Sequence, residues 1–194
     1  PENVMVGEFG EVLVMDWGLA VNITKCEPDK LQDSRTLHKS SICNPCGTPC
    51  YMPPELALGD GSAIGARTDV YLLGAVLHEL LTGKAPHTGN HLMAILLKAI
   101  ASKAPEFSSE VPEELAVICC AALRAEVDDR TESVSAFRRS IEDYLEHRKS
   151  TLISDGASKT LARCMEQSQT LTKLEVKAEE LQRTRLYSDF AKAV

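Results

Sequence analysis

The sequence predicts a mainly α-helical fold, with a short β-hairpin ahead of a helical core and a helical extension behind it. Three observations carry that expectation. From Thr68 onward the chain is dominated by segments whose apolar residues recur at helical spacing. Before Asp16, the segments VMV and EVLVM flank the Gly-bearing turn GEFG, which is a hairpin signature. Beyond Ser150 the composition turns polar while helical periodicity persists.

Composition sets the outer limits. A chain of 194 residues with 44% apolar and 25% charged content can bury a sizeable core, so one globular domain with an appendage is expected. A formal net charge of −7 argues against broad binding to nucleic acid or anionic membranes, because neutralising phosphates requires clustered Lys and Arg. No run of apolar residues is long enough to span a bilayer, and the opening PENVMVGEFG has neither the charged nor the apolar region of a signal peptide. The expected location is cytoplasmic. The chain starts at a proline and stops at DFAKAV with no helix-stop signal, so it is expected to be a piece of something longer at both ends.

Seven cysteines (Cys26, Cys43, Cys46, Cys50, Cys119, Cys120 and Cys164) at irregular spacing, without a secretion signal, read as reduced thiols. The cluster CNPCGTPC, with His38, raises the alternative of a zinc site. A structural zinc site normally presents a second CxxC or a CxxH pair, and this sequence has neither beside the cluster.

Taken in order, the hairpin pairs Val4–Val6 with Glu11–Met15 and delivers Asp16 to its rim. Residues 21–54 are polar and without sustained periodicity, and KCEPDKLQDSRTLHKSS reads as a loop. A loop of that length is usually functional. TDVYLLGAVLHELLTG then reads as a helix capped by Thr68 and stopped by Gly83, apolar nearly all round and therefore expected to run through the middle of the core. Amphipathic helices follow at HLMAILLKAIAS, at PEELAVICCAALRA with Pro112 at its start, and at SVSAFRRSIEDYLEHR. The domain is expected over residues 1–147 and the extension over 148–194. Within the extension Leu171, Leu174, Ala178 and Leu181 sit at heptad spacing, which is compatible with a coiled coil or with a helix packed against other protein.

Five short motifs occur in a fixed order: PEN at 1–3, DWG at 16–18, GTPCYMPPE at 47–55, DVYLLG at 69–74, and the Arg of DDRTES at 130. Taken alone, Asp16 reads as a turn or cap residue. Together the motifs resemble the C-terminal lobe of a eukaryotic-type (Hanks-type) serine/threonine protein kinase of bacterial kind, over residues 1–147. The family's catalytic loop reads H-R-D-L-K-P-E-N, of which this chain carries only the last three residues.

The resemblance implies ATP and Mg²⁺ as cofactors and protein substrates as partners. It makes Asn3 and Asp16 the metal ligands, Asp16 matching the Asp of D-F-G, which holds the metal against the phosphates. Trp17 stands where the family has Phe and would pack beneath that Asp, while Gly18 would let the segment reorient. Met5 would form the floor of the adenine pocket. Thr48 would hydrogen-bond the catalytic Asp and Lys of serine/threonine kinases. Glu55 matches the Glu of A-P-E, with Pro53 in place of the usual Ala, and would form a buried ion pair with Arg130. Asp69 would accept hydrogen bonds from the catalytic-loop backbone.

Ser34, Thr36, Ser40 and Ser41 lie where activating phosphorylation falls in the family, and equally compose an ordinary solvated loop. The general-base Asp would fall three residues before Pro1, so the 194 residues alone are expected to be inactive. The rival expectation is a pseudokinase or scaffold that only binds partners. The extension resembles the linker that leads into tetratricopeptide-like repeats in some bacterial kinases, which makes it a candidate surface for protein partners.

Overall fold

The computed structural model describes residues 2–24 and 37–193, the side chains of 186–193 excepted. Cys26, Ser34 and Thr36 lie outside the described residues. The chain divides into two units, Pro1–Tyr144 and Leu145–Val194.

The first unit opens with strands β1 (Val4–Val6) and β2 (Val12–Val14), paired antiparallel with Met5 opposite Leu13. β2 is shorter than expected at both ends. Glu11 is drawn into the turn, where its backbone carbonyl accepts from Gly7 N–H at 2.8 Å and its carboxylate accepts from Phe9 N–H at 3.1 Å. Residues 21–24 and 37–54 are more ordered than their polar composition implies. β3 (Val21–Asn22) and β4 (Leu37–His38) form a parallel pair, followed by 3₁₀ turns at Lys39–Ser41 and Pro49–Tyr51. These elements are held by side-chain and tertiary bonds, such as His38 Nε2 to Thr24 O at 2.9 Å, which leave no periodic trace in the sequence.

Five helices follow: α1 (Pro54–Leu58), α2 (Ala66–Thr82), α3 (Leu92–Ala101), α4 (Glu113–Ala122) and α5 (Val134–Ala193). Thr68 does not cap α2. The helix begins three residues earlier, with Gly65 at the cap, and Thr68 reaches back so that its Oγ1 accepts from Gly65 N–H at 3.1 Å. The stop at Gly83 is as expected, with a left-handed φ of 71°. Pro112 is itself the cap of α4, and Glu113 and Glu114 fill the first turn, where acidic side chains complement the helix dipole.

α2 is buried on one face only. Val70, Tyr71, Gly74, Ala75 and His78 point inward, whereas Leu80 is 76% exposed, so apolar content overstated how deeply the helix lies. Its inner face packs against Cys119 and Leu123 with Tyr71 and Ala75, and against Ala122 and Phe137 with Val70. A third cluster joins Met52 and Ala57 to Ala99 of α3.

The described residues of the second unit are all helical. The helical backbone that starts at Val134 continues without interruption to Ala193, so the change in composition at Ser150 is a change of surface and not a break in secondary structure. Leu171, Leu174 and Leu181 all stand exposed. No helix among the described residues is long and apolar enough to cross a membrane.

The approach of α2 to α4 is set by Gly74, where an added Cβ would lie 2.7 Å from Ala122 Cβ. Cys119 Sγ donates to Gly74 O at 3.4 Å on the same contact. Gly74→Ala is therefore expected to destabilise by about 1–3 kcal/mol despite its better helix propensity, because both crowded atoms are fixed to backbone. Gly156→Ala, where nothing lies within 4 Å, should be neutral or stabilising by up to about 1 kcal/mol. Urea denaturation of the two variants checks the pair, and equal midpoints would show that α2 and α4 yield at this point.

Candidate active site

Two groups of the sequence-predicted residues are each brought together by the fold. The first lies at the open end of the hairpin. Met15 N–H donates to Asn3 O at 2.8 Å, one residue beyond the last β1–β2 pair, so Asn3 stands beside the residue that precedes Asp16. Asp16 has φ 59°, a left-handed conformation uncommon for any residue but Gly and least costly for Asp and Asn. Its Oδ1 accepts from Gly18 N–H at 3.2 Å, an Asx turn that fixes the carboxylate. Among the described residues Oδ2 accepts no hydrogen bond, and both Asn3 and Asp16 are exposed.

Hard oxygen donors on a fixed turn suit Mg²⁺, which takes one or two carboxylates and keeps its other positions for water and phosphate. Met5 is 53% exposed in the middle of β1, and Trp17 is 72% exposed. Trp17 therefore stands out into solvent and does not pack beneath Asp16.

The second group surrounds Glu55. Arg130 Nη1 and Nη2 each donate to one carboxylate oxygen of Glu55 at 2.7 Å, across 75 residues of sequence. The remaining guanidinium donors go to Arg124 O at 2.9 Å, Arg67 O at 3.2 Å and Ala125 O at 3.1 Å. All five N–H groups are used. Thr68 Oγ1 adds a bond to Glu55 Oε1 at 2.9 Å, and the guanidinium lies 4.8 Å from the centre of the Tyr71 ring. Glu55 and Arg130 are each 3% exposed.

Between the two groups runs the segment Gly47–Glu55. Its Tyr51 donates to Glu79 Oε2 at 2.7 Å, and burial, with that bond second, pushes the phenol up to about 12. Thr48 caps the 3₁₀ turn through its backbone and is exposed. Asp69, in the first turn of α2, is exposed and forms no hydrogen bond among the described residues, yet the protein mass around it raises its carboxyl above the usual range. The six described cysteines are free, and burial pushes the Cys119 thiol up to about 12, so it is inert at neutral pH. Among the described residues no three His, Cys, Asp or Glu side chains converge.

Residues 1–173 match the family model of the protein kinase domain. The chain belongs to the protein kinase family. Similar proteins include the serine/threonine-protein kinase PknD of Protochlamydia amoebophila, 36% identical over 159 residues, an overlap of 76% of this chain and 16% of that protein. PknD of Chlamydia trachomatis serovar D is 31% identical, with 75% of this chain and 17% of the relative covered. The probable serine/threonine-protein kinase PknB of Bifidobacterium longum is 31% identical over 148 residues, with 75% and 20% covered. The chain thus spans a fifth or less of the curated relatives it matches.

Sequence reasoning about this kinase domain missed a buried polar chain. Tyr71 Oη lies 2.9 Å from His87 Nε2 and 2.7 Å from Ser102 Oγ, and His87 Nε2 is also 3.1 Å from Met52 O. The available signal was a lone His in KAPHTG just past the α2 stop, which carries no motif.

The Glu55–Arg130 pair should behave as a unit. Glu55→Ala and Arg130→Ala are each expected to cost about 3–5 kcal/mol, since either leaves a buried charge unpaired. The double variant should cost far less than the sum, and Arg130→Lys should not restore the bidentate bond. A double-mutant cycle by chemical denaturation measures this, and small additive losses would remove the pair from the account.

Proposed function

We propose that this kinase domain serves ATP-dependent phosphoryl transfer to serine and threonine hydroxyls of protein substrates, with Asn3 and Asp16 as its Mg²⁺ ligands. The observation that carries the reading is the hairpin rim. There Asp16 is held in a strained conformation with one carboxylate oxygen uncommitted, beside Asn3. Bound Mg²⁺ supplies charge neutralisation at the phosphates. The chain's own residues provide its footing: the Asx turn orients Asp16, and the β1–β2 register fixes Asn3 relative to it.

In the same reading Met5 contacts the adenine and Gly18 allows the rim to reorient. Thr48 faces the catalytic Asp and Lys, and Asp69, exposed and unbonded among the described residues, accepts from the catalytic-loop backbone. The segment ending at Glu55 docks the substrate. Serine/threonine preference is supported by PEN at 1–3 and by the names of the similar serine/threonine-protein kinases. The 194 residues contain no H-R-D match and no strand Lys, so phosphoryl transfer requires those groups from outside them. The exposed leucines of the second unit would serve protein partners.

Asp16→Ala, placed in a protein that also carries the catalytic loop and the ATP-binding lobe, should abolish ATP turnover while leaving the fold intact. The 194-residue chain alone should show no heat of binding to Mg-ATP by calorimetry. Turnover retained in Asp16→Ala would refute the assignment.

Ser34, Thr36, Ser40 and Ser41 remain candidate phosphorylation sites. Ser40 and Ser41 are exposed, and Ser40 Oγ lies 2.7 Å from His38 Nδ1. A phosphate on Ser40 would displace that bond and re-anchor the turn. Mass spectrometry of the active protein should find one of the four modified, and a wholly unmodified segment would count against activation by phosphate.

A further inference from the structure

His87 lies in the connection between α2 and α3, is 5% exposed, and has no role in the motifs. Its backbone N–H donates to Cys50 O at 3.1 Å, and its ring Nε2 is 3.1 Å from Met52 O. These two carbonyls flank Tyr51, whose hydroxyl is held by Glu79. The turn after Thr48 is thus gripped at three consecutive residues.

The protons of the buried chain follow from its ends. A carbonyl can only accept, so the hydrogen sits on Nε2 and is shared between Met52 O and Tyr71 Oη. Tyr71 then donates to Ser102 Oγ at 2.7 Å, and Ser102 donates to Leu123 O at 3.4 Å. Ser102 closes α3 with φ 34°, a left-handed conformation that a non-Gly residue adopts at a cost. The His87 ring stacks on Tyr71 with centroids 6.3 Å apart and planes 21° from parallel. Burial lowers the His87 pKa below its ordinary value, so the ring is neutral at pH 7 and Nδ1 is the bare nitrogen.

We infer that His87 is a positioning residue for the substrate-docking turn, fixing the height of residues 48–53 over α2 and thereby the affinity for the peptide stretch beside the phosphoacceptor. The inference rests on the kinase reading for the identity of what docks there. A Phe at this position keeps the ring and its packing and removes the donor, while Gln restores an N–H at similar reach. The backbone bond to Cys50 survives both changes.

The test compares wild type, His87→Phe and His87→Gln in the full-length protein, with dephosphorylated casein as the probe substrate. His87→Phe should raise KM for casein about tenfold, with kcat within twofold and KM for ATP unchanged, and His87→Gln should return KM to within about threefold of wild type. Amide exchange over residues 47–53, which needs no activity, should quicken at least about tenfold in His87→Phe and recover in His87→Gln. Unchanged exchange in His87→Phe overturns the grip, and faster exchange with unchanged KM overturns the positioning role. A wild-type protein that transfers no phosphate overturns the kinase reading, while exchange still decides whether His87 holds the turn.

Discussion

Arg130 and Glu55 meet in a site with almost no solvent, and the placement of three separate stretches of chain depends on that meeting. Glu55 belongs to α1 at the end of the segment Gly47–Glu55, Thr68 to the first turn of α2, and Arg130 to the turn that leads into α5. Bringing two charges out of water costs several kcal/mol per ion, so such a pair persists only if every donor and acceptor finds a partner. Here the guanidinium uses all five N–H groups, three of them on backbone carbonyls, and Glu55 gains a third bond from Thr68. Among the described residues no buried side-chain nitrogen or oxygen is left without a hydrogen bond. A Lys could supply the charge but not the planar fork that closes this site.

The apolar packing and the polar bonds have different tasks. Small residues set how closely the helices approach: Gly74 lies against Ala122, and Ala57 and Ala99 share a cluster with Met52. The Tyr71 ring joins the two kinds of contact, with its face under the Arg130 guanidinium and its hydroxyl in the His87–Ser102 chain. Movement of the turn at residues 48–53 therefore has to disturb either the ion pair through Glu55 or the hydroxyl chain through Met52. Stability of this kind is local and directional, unlike the burial of apolar area.

The hairpin is the opposite case. Val4, Met5, Val6, Val12, Leu13 and Val14 are all at least 39% exposed, so among the described residues nothing covers either of its faces. A two-stranded ribbon of that kind is marginal by itself in water and gains stability from whatever packs on it. Asn3 and Asp16 thus sit on the least self-sufficient part of the first unit, and the Glu55–Arg130 site on the most.

By itself the sequence determined what depends on neighbours along the chain. Short apolar runs on either side of the Gly-bearing turn GEFG placed the hairpin, Gly83 placed the stop of α2 where only a left-handed residue fits, and helical periodicity placed α3 and α4. The ordered motifs pointed to the protein kinase family, and through it to Glu55 and Arg130 as a pair. What the tertiary structure decided depends on distance in space. Gly65 rather than Thr68 caps α2 because the Thr68 hydroxyl is committed both to Gly65 N–H and to Glu55, a residue 13 positions away. One face of α2 stays exposed because the residues that pack on the helix, from α4, α5, the segment around Tyr51 and Phe107, all cover the other face, which composition cannot show. His87 acquired partners at Cys50, Met52 and Tyr71 because the chain after α2 folds back beside the turn at residues 48–53, and a lone histidine carries no pattern that announces such partners. Local propensity acts over a few residues, whereas buried polar groups are satisfied by whatever the completed fold brings within about 3 Å.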